Sequence, residues 1–458
     1  MRCWTIIGCF LCFAFAEPVL SQVEGAQDET APYGFSLLRQ NDEINLKEDE
    51  PKSFYQNIKQ LQLSDKTTLS FGGSYRFQTE GFVNEQFSNE EDQNDYWFLN
   101  RFQVHSHLKV SDRFELFAEL NSSLIASKDE VSPVEKDELS LNQIFIRYHF
   151  DENWNVLVGR QNMRLGSGRL IDIREGPNVR LSFDMAQLQY SNSKTKITGF
   201  YAVPVQLEEG IFDNDALNFK ESLMALYWTQ NWNSKTNTDI YALYKEEENK
   251  TWDSGTADDN RLSIGLRHFG TWKKFRYNNE FVYQTGSFGD QNISAWTASF
   301  NIEHPWALLG EDGVIGIKTE AISGDSSNTD GNLNTFDGLY PRGAYFGRVA
   351  RFGPSNLIDV HPYIETSLGP ISIELDYVAF WRFSRQDGVY SPPLILEYPS
   401  INDNRFIGHQ IGTIAGLEVN NFIALELETN LIFPSDFLVE SGLDDTLFHT
   451  VLTAEIKF

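Results

Sequence analysis

From Leu69 to the last residue the chain alternates apolar and polar side chains with a period of two, and no stretch after residue 21 is apolar for the roughly 20 residues a membrane-spanning helix requires. Successive side chains of a strand point to opposite faces, so each such segment has one apolar and one polar side. Phe114, Leu116, Ala118 and Leu120 are expected to face lipid, with Glu115, Phe117, Glu119 and Asn121 inward. Ile371, Ile373, Leu375, Tyr377, Ala379 and Trp381 form a second outward row, opposed by Ser372, Glu374, Asp376 and Arg382. In the last segment Leu452, Ala454, Ile456 and Phe458 oppose Thr453, Glu455 and Lys457. Any one of these segments also fits a half-buried strand of a soluble sheet.

The connections narrow the choice. Short joints are expected around Ser111-Asp112, Asp151-Glu152-Asn153, Asn192-Ser193, Asn233-Ser234, Gly270-Thr271, Leu309-Gly310, Gly369-Pro370 and Asn420-Asn421, with a longer polar connection between successive joints. Eight short joints and nine long ones need 18 strands with both ends on the periplasmic side. The fold class is therefore all-β, a transmembrane antiparallel β-barrel with long extracellular loops and short periplasmic turns. A barrel of that size encloses a water-filled lumen. Phe458 closes an aromatic-rich alternating strand and resembles the terminal signal by which such barrels are recognised for assembly.

Residues 1–21 are expected to be a signal peptide: Arg2 precedes a short apolar run from Cys3 to Ala16, and cleavage can follow Ala16 or fall near Ser21. Ile6-Ile7-Gly8-Cys9 also resembles a lipoprotein box, although cutting there leaves a short apolar core. Residues 22–68 form a periplasmic N-terminal extension, in which Pro51 to Leu63 could make a short helix, and residues 69–458 form the barrel. All three cysteines, Cys3, Cys9 and Cys12, fall in the leader, so the mature chain would have no disulfide and no cysteine metal site. The net charge is -28, and Arg2 and Glu17 cancel within the leader. Such acidity argues against nucleic acid as a partner and places acidic runs, Glu85 to Asp95, Glu246 to Asp259 and Asp436 to Asp445, on solvated loops.

Two connections carry the opposite charge. Arg160, Arg164, Arg169, Arg174 and Arg180 stand against only Asp172 and Glu175, and Arg342, Arg348 and Arg351 share a stretch without an acid. Folded into the lumen, these guanidiniums would make a positive constriction able to hold carboxylates through paired donors. The alternative is that they pair with Asp172, Asp184, Glu374 and Asp376 and stiffen the wall. Glu374, Asp376, Glu426 and Glu428 fall on inward faces and lower the positive field there.

The motif order resembles the alginate-export family of outer-membrane barrels. Gly159-Arg160-Gln161, Leu165-Gly166, Arg169-Leu170-Ile171, Arg174-Glu175-Gly176-Pro177-Asn178 and Phe183-Asp184 make a first set. A second comprises Gly324-Asp325, Thr335-Phe336-Asp337, Tyr340-Pro341-Arg342-Gly343, Tyr345-Phe346-Gly347, Asn356 through Pro362, Phe380-Trp381-Arg382 and Asp387-Gly388-Val389-Tyr390. Tyr33-Gly34-Phe35 and Gly72-Gly73 with Arg76 extend the match toward the start. The resemblance implies an 18-stranded monomeric barrel in the outer membrane of a Gram-negative bacterium, passing an anionic uronate polysaccharide by facilitated diffusion. It places Arg160, Arg169, Arg174, Arg180, Asp184, Arg342, Asn356, His361, Arg382, Asp387 and Tyr390 at pore-lining or solute-contacting positions; Arg164 and Arg348 join them from the charge pattern.

No zinc-binding helix motif, Gly-x-Ser-x-Gly elbow or phosphate loop occurs, so no cofactor or catalytic role is expected. His105 and His107 share one inward strand face, as lumen lining commonly does. Trp97, Trp154, Trp228, Trp232, Trp296 and Tyr283 are expected in interfacial girdles. The expected function is an outer-membrane channel for a hydrophilic, anionic saccharide or polysaccharide, in contact with outer-membrane lipid and with periplasmic export or uptake partners. A general diffusion porin, and an outer-membrane hydrolase, are the alternatives.

Overall fold

Strands whose apolar residues all lie on one face cannot leave an edge open in lipid, and closing the sheet on itself removes the edges. The computed structural model describes residues 33–44, 53–88, 94–308, 311–327 and 329–458. The predicted leader, Asn89, the acidic Glu90-Glu91-Asp92 and the Leu309-Gly310 joint lie outside them. Eighteen antiparallel strands close a barrel. They are β1 (Thr67–Val83), β2 (Asp95–Val110), β3 (Phe114–Ala126), β4 (Asp137–His149), β5 (Trp154–Gln161) and β6 (Phe183–Ser191). Next come β7 (Thr195–Pro204), β8 (Glu221–Asn233), β9 (Thr236–Trp252), β10 (Gly255–Trp272), β11 (Phe275–Phe288) and β12 (Gln291–Leu308). The last six are β13 (Glu311–Ile322), β14 (Leu357–Leu368), β15 (Ile371–Arg382), β16 (Phe406–Asn420), β17 (Ile423–Pro434) and β18 (Leu447–Lys457). Pairing of β18 with β1, from Phe448↔Val83 to Lys457↔Ser74, makes the seam.

The face assignment follows the alternation. Phe117, Glu119 and Asn121 are buried inward while Leu120 is exposed outward, and Leu375, Tyr377 and Leu452 are likewise exposed. Trp154 and Trp232 stand exposed at strand ends beside the short turns, as a girdle requires, and Trp272 and Trp306 join them. Trp97 departs from the expected girdle. It shares the inward parity of Leu99 and Arg101, is buried, and donates from Nε1 to Glu80 at 3.0 Å.

The short joints occupy one end of the barrel. At the other end two connections are tight rather than long: β9 and β10 meet at Asp253-Ser254, and β11 and β12 at Gly289-Asp290. The run Glu246 to Asp259, expected as a loop from its polarity, is thus mostly a hairpin carried beyond the lipid band. Its outer face is exposed, but on the inner face Trp252 and Asp259 are buried, with Trp252 edge-on to Tyr390 and donating to Asp259.

At the long-loop end the lumen has an apolar core. The β5–β6 loop (162–182) and the β13–β14 loop (323–356) fold inward and pair, with Asp172 N donating to Tyr340 O at 3.0 Å and Tyr340 N to Leu170 O at 2.8 Å. Ile171, Ile173, Phe183, Phe336 and Phe352 are buried around this junction. Each such side chain contributes about 1.5–3 kcal/mol, which fixes loops that would otherwise be mobile.

The N-terminal extension crosses the short-turn mouth. Tyr33–Gly34 pairs with Glu43–Ile44, and a short helix, Phe54–Lys59, starts at Ser53 with a capping box to Gln56. Arg39 is the anchor: Nη1 donates to Gly73 O at 2.8 Å, Nη2 to Phe458 O at 3.3 Å, and Nε pairs with Asp42 at 2.9 Å. Phe35 and Tyr55 both pack on Phe422 in the β16–β17 turn, at 5.8 and 5.6 Å between ring centroids.

Candidate functional site

The β5–β6 loop turns back on itself through Gly168, at φ +72, where an added Cβ would sit 2.3 Å from the Asp172 carboxylate. That close return sets Arg164 beside Asp172, 3.5 Å apart. Further along, Glu175 fastens the loop to the wall. Arg180 Nε pairs with its Oε2 at 2.5 Å, Arg101 pairs with Oε1, and Arg76 Nη1 donates to its backbone oxygen at 2.8 Å. Arg76 and Arg101 face each other across β1 and β2, an arrangement that repels unless an anion joins them. Burial opposes ionisation of Glu175, but Arg101, Arg180 and Arg76 hold its carboxyl well below the usual carboxylate range.

Below this knot the loops border a lumen cavity of about 640 Å³. Arg164, Arg169 and Arg342 line it from the loops; Lys318, Glu320, Asp359, His361 and Glu374 line it from the wall. Arg169 bridges Glu280 at 3.2 Å, Glu320, and the Tyr345 hydroxyl at 3.0 Å. Arg342 differs. Its Nη2 donates to Ser167 O at 3.3 Å, its guanidinium lies 5.7 Å from the Tyr345 ring centroid, and it has no ion pair among the described residues. Burial, and after it the like charge of Arg164, push its pKa below the ordinary guanidinium value.

The remaining expected residues divide. Arg180 is in the Glu175 knot, and Arg348 binds Glu426 at 3.4 Å and Glu428 at 3.7 Å. Arg174, at φ +57, is half-buried and has no ion pair among the described residues. His361 faces the cavity, 3.6 Å from Asp376. Arg160 and Asp184 are corrections. They pair at 2.8 Å, but in the parity of exposed Val158, Ile144 and Leu188, so the pair sits on the outer face of the barrel. Of the alternative wall pairings, Arg160–Asp184 and Arg164–Asp172 form; Glu374 and Asp376 take no arginine among the described residues.

Asn356, Arg382, Asp387 and Tyr390 are also corrected, from pore lining to loop clamp. Asn356 Nδ2 donates to the carbonyls of Ser384, Asp387 and Gly388 at 2.8–3.1 Å, and the Arg382 guanidinium to those of Arg385, Asp387, Asn402 and Asn404. Tyr390 and Thr335 hydroxyls both donate to Asp387 at 2.6 Å. All four are buried, and together they tie the β13–β14 loop to the β15–β16 loop.

Arg101, Glu280, Lys318 and Glu320 escaped the sequence reading, and Arg76 entered it only as part of a family motif. Period-two parity marks each as inward, but their partners lie far away in the chain.

The family model for alginate export matches residues 67–446, which is most of the sequence and every barrel strand except the last, β18. The chain belongs to the alginate-export family. As a member of that family with a closed barrel, it is an outer-membrane channel of the Gram-negative envelope. Solved porins share its fold at low identity. OpdQ of Pseudomonas aeruginosa superposes with a TM-score of 0.57 at 8% identity, covering 86% of this chain and 97% of its own. OccAB4 of Acinetobacter baumannii gives 0.55 at 9%, covering 85% and 98%, and OccK11 (OpdR) of Pseudomonas aeruginosa 0.53 at 10%, covering 86% and 96%. No curated protein sequence matches this alginate-export family member.

Proposed function

We propose that this channel passes a hydrophilic saccharide bearing carboxylates, as a monomer and by facilitated diffusion. The observation that carries the reading is Arg342. It borders the lumen cavity beside Arg164 and Arg169, yet it alone of the three has no carboxylate of its own among the described residues. A solute carboxylate arriving there would supply the missing counter-charge through charge-assisted hydrogen bonds. Transient relief of crowded positive charge favours entry without the deep trapping that would stop flow. Paired arginines do not contribute equally, because Glu280, Glu320 and Asp172 already neutralise Arg169 and Arg164.

The same cavity carries Glu320, Asp359 and Glu374, and that favours a second reading, a general porin with a transverse field and little preference for charge sign. Bilayer conductance separates the two. Under a salt gradient the refolded channel should show anion preference and block by oligouronates, and Arg342→Gln should weaken both. Cation preference with no block by oligouronates would leave the general porin.

A further inference from the structure

β5 is the shortest strand of the barrel wall. It has 8 residues, Trp154–Gln161, fewer than the roughly 9–11 that a tilted strand needs to cross a membrane. At about 3.3 Å per residue and a tilt near 40°, it rises about 20 Å from the Trp154 girdle, short of an apolar band about 25 Å tall. β4 pairs with β5 only from His149↔Asn155 to Ile144↔Arg160, so its edge from Asp137 to Gln143 has no strand partner on that side. On the other side β4 pairs with β3 up to Ser123↔Asp137, where Leu120 and Leu124 are exposed outward. Lipid-facing side chains therefore rise beside the bare edge.

Such an edge cannot stand open in hydrocarbon, where no water takes its amides and carbonyls. Two neighbours take them instead. Arg160 Nη1 donates to Leu141 O at 3.3 Å, and the β7–β8 loop (205–220) lays a short parallel segment along the rest. Leu139 N donates to Gly210 O at 3.2 Å, Phe212 N to Leu139 O at 2.8 Å and Glu138 N to Glu209 O at 3.0 Å. The same loop presents Ile211, Phe212, Leu217 and Phe219 at 53–62% exposure, as open as the lipid-facing Val158 and Leu226 at 57%. So many large apolar side chains exposed in one short segment mark a surface that something apolar covers.

We propose that the β7–β8 loop is part of the lipid-facing wall and seats these side chains among the acyl chains of the leaflet on the long-loop side. Continuity identifies the occupant: the loop extends the edge of a strand whose Ile144 and Ile146 already face lipid. Its acids are compatible with that position. Asp213 accepts from Gly210 N at 3.0 Å, Asp215 from Asn218 Nδ2 at 3.1 Å, and Glu209 pairs with Lys136 at 3.6 Å, so these three are engaged within the protein. An apolar row beside charged residues suits the boundary between acyl chains and headgroups. The proposal is independent of which solute the channel passes.

The test uses the full chain refolded into phospholipid vesicles, with Cys3, Cys9 and Cys12, its only cysteines, changed to serine and a single nitroxide-labelled cysteine introduced at a time. Phe212→Cys and Phe219→Cys replace exposed side chains and leave the backbone bonds to β4 in place. Heat-modifiable gel migration checks that each variant has folded, and Leu217→Cys reads the same surface should either fail. Collision of the nitroxide with oxygen, which dissolves in acyl chains, is compared with collision with a neutral nickel chelate, which stays in water. Leu226→Cys on the lipid face of β8 and Asp258→Cys on the exposed hairpin supply the two reference ratios. The loop variants should give the oxygen-dominated ratio of Leu226→Cys. A nickel-dominated ratio like that of Asp258→Cys at either loop position overturns the proposal. Little collision with both reagents overturns it as well, since protein, such as a second copy of this chain, would then cover the loop in place of lipid.

Discussion

Arg180 and Glu175 are five residues apart in one loop, and their 2.5 Å ion pair holds that loop closed on itself while Arg101 and Arg76 hold it to the barrel wall. One carboxylate thus compensates three buried guanidiniums.

Glu175→Gln should therefore cost about 3–5 kcal/mol, because it strands buried cations rather than removing a free-standing pair. Thermal unfolding of the detergent-refolded variant would measure the loss. An unchanged melting temperature would show that the arginines find other anions.

The same residue sets a pH dependence. Its folded pKa lies below its unfolded value, so its contribution is complete above the ordinary glutamate pKa of about 4.3 and declines as pH falls from there toward the folded value. The gap in melting temperature between wild type and Glu175→Gln should be constant from pH 8 to about pH 5 and narrow in stronger acid. A gap that widens on acidification contradicts the sign.

Arg160 and Arg342 should behave oppositely. Arg160→Gln leaves Asp184 unpaired on the outer face and should lower thermal stability with the reversal potential unchanged. Arg342→Gln should move the reversal potential toward cations, and the shift should fade at high salt, since screening acts over about 8 Å near physiological ionic strength. Equal selectivity changes in both variants would place Arg160 in the lumen after all.

Asn356→Ala removes three donations to the β15–β16 loop from a residue held at φ +47. A loss of roughly 1–3 kcal/mol of local stability is expected. Limited proteolysis should then cut within residues 383–405 while the barrel still migrates as a folded species. Cleavage no faster than in wild type would dismiss the clamp.

Topology is open to labelling. A cysteine at Asp258, exposed on the β9–β10 hairpin, should react from outside intact cells, and cysteines at Asn153 or Asn420, beside short turns, should not. The reverse pattern inverts the barrel.

The sequence by itself determined the strands, which side of each meets lipid, and where most short turns fall. These are local properties, because a strand has a period of two wherever it lies and lipid admits only apolar side chains. Parity was also sufficient to turn Arg160 outward with Val156 and Val158, although the motif around it drew attention to the lumen. Polarity misled at Glu246 to Asp259, since a hairpin carried past the lipid band and a loop can have the same composition. Only the tertiary structure decided which charges compensate one another. Glu175 meets Arg101 across 74 positions of chain and Arg169 meets Glu320 across 151, and those meetings depend on the inward path of two loops packed against each other. Alternation along a strand carries no information about that path, so the unpaired state of Arg342 became visible only once the chain was folded.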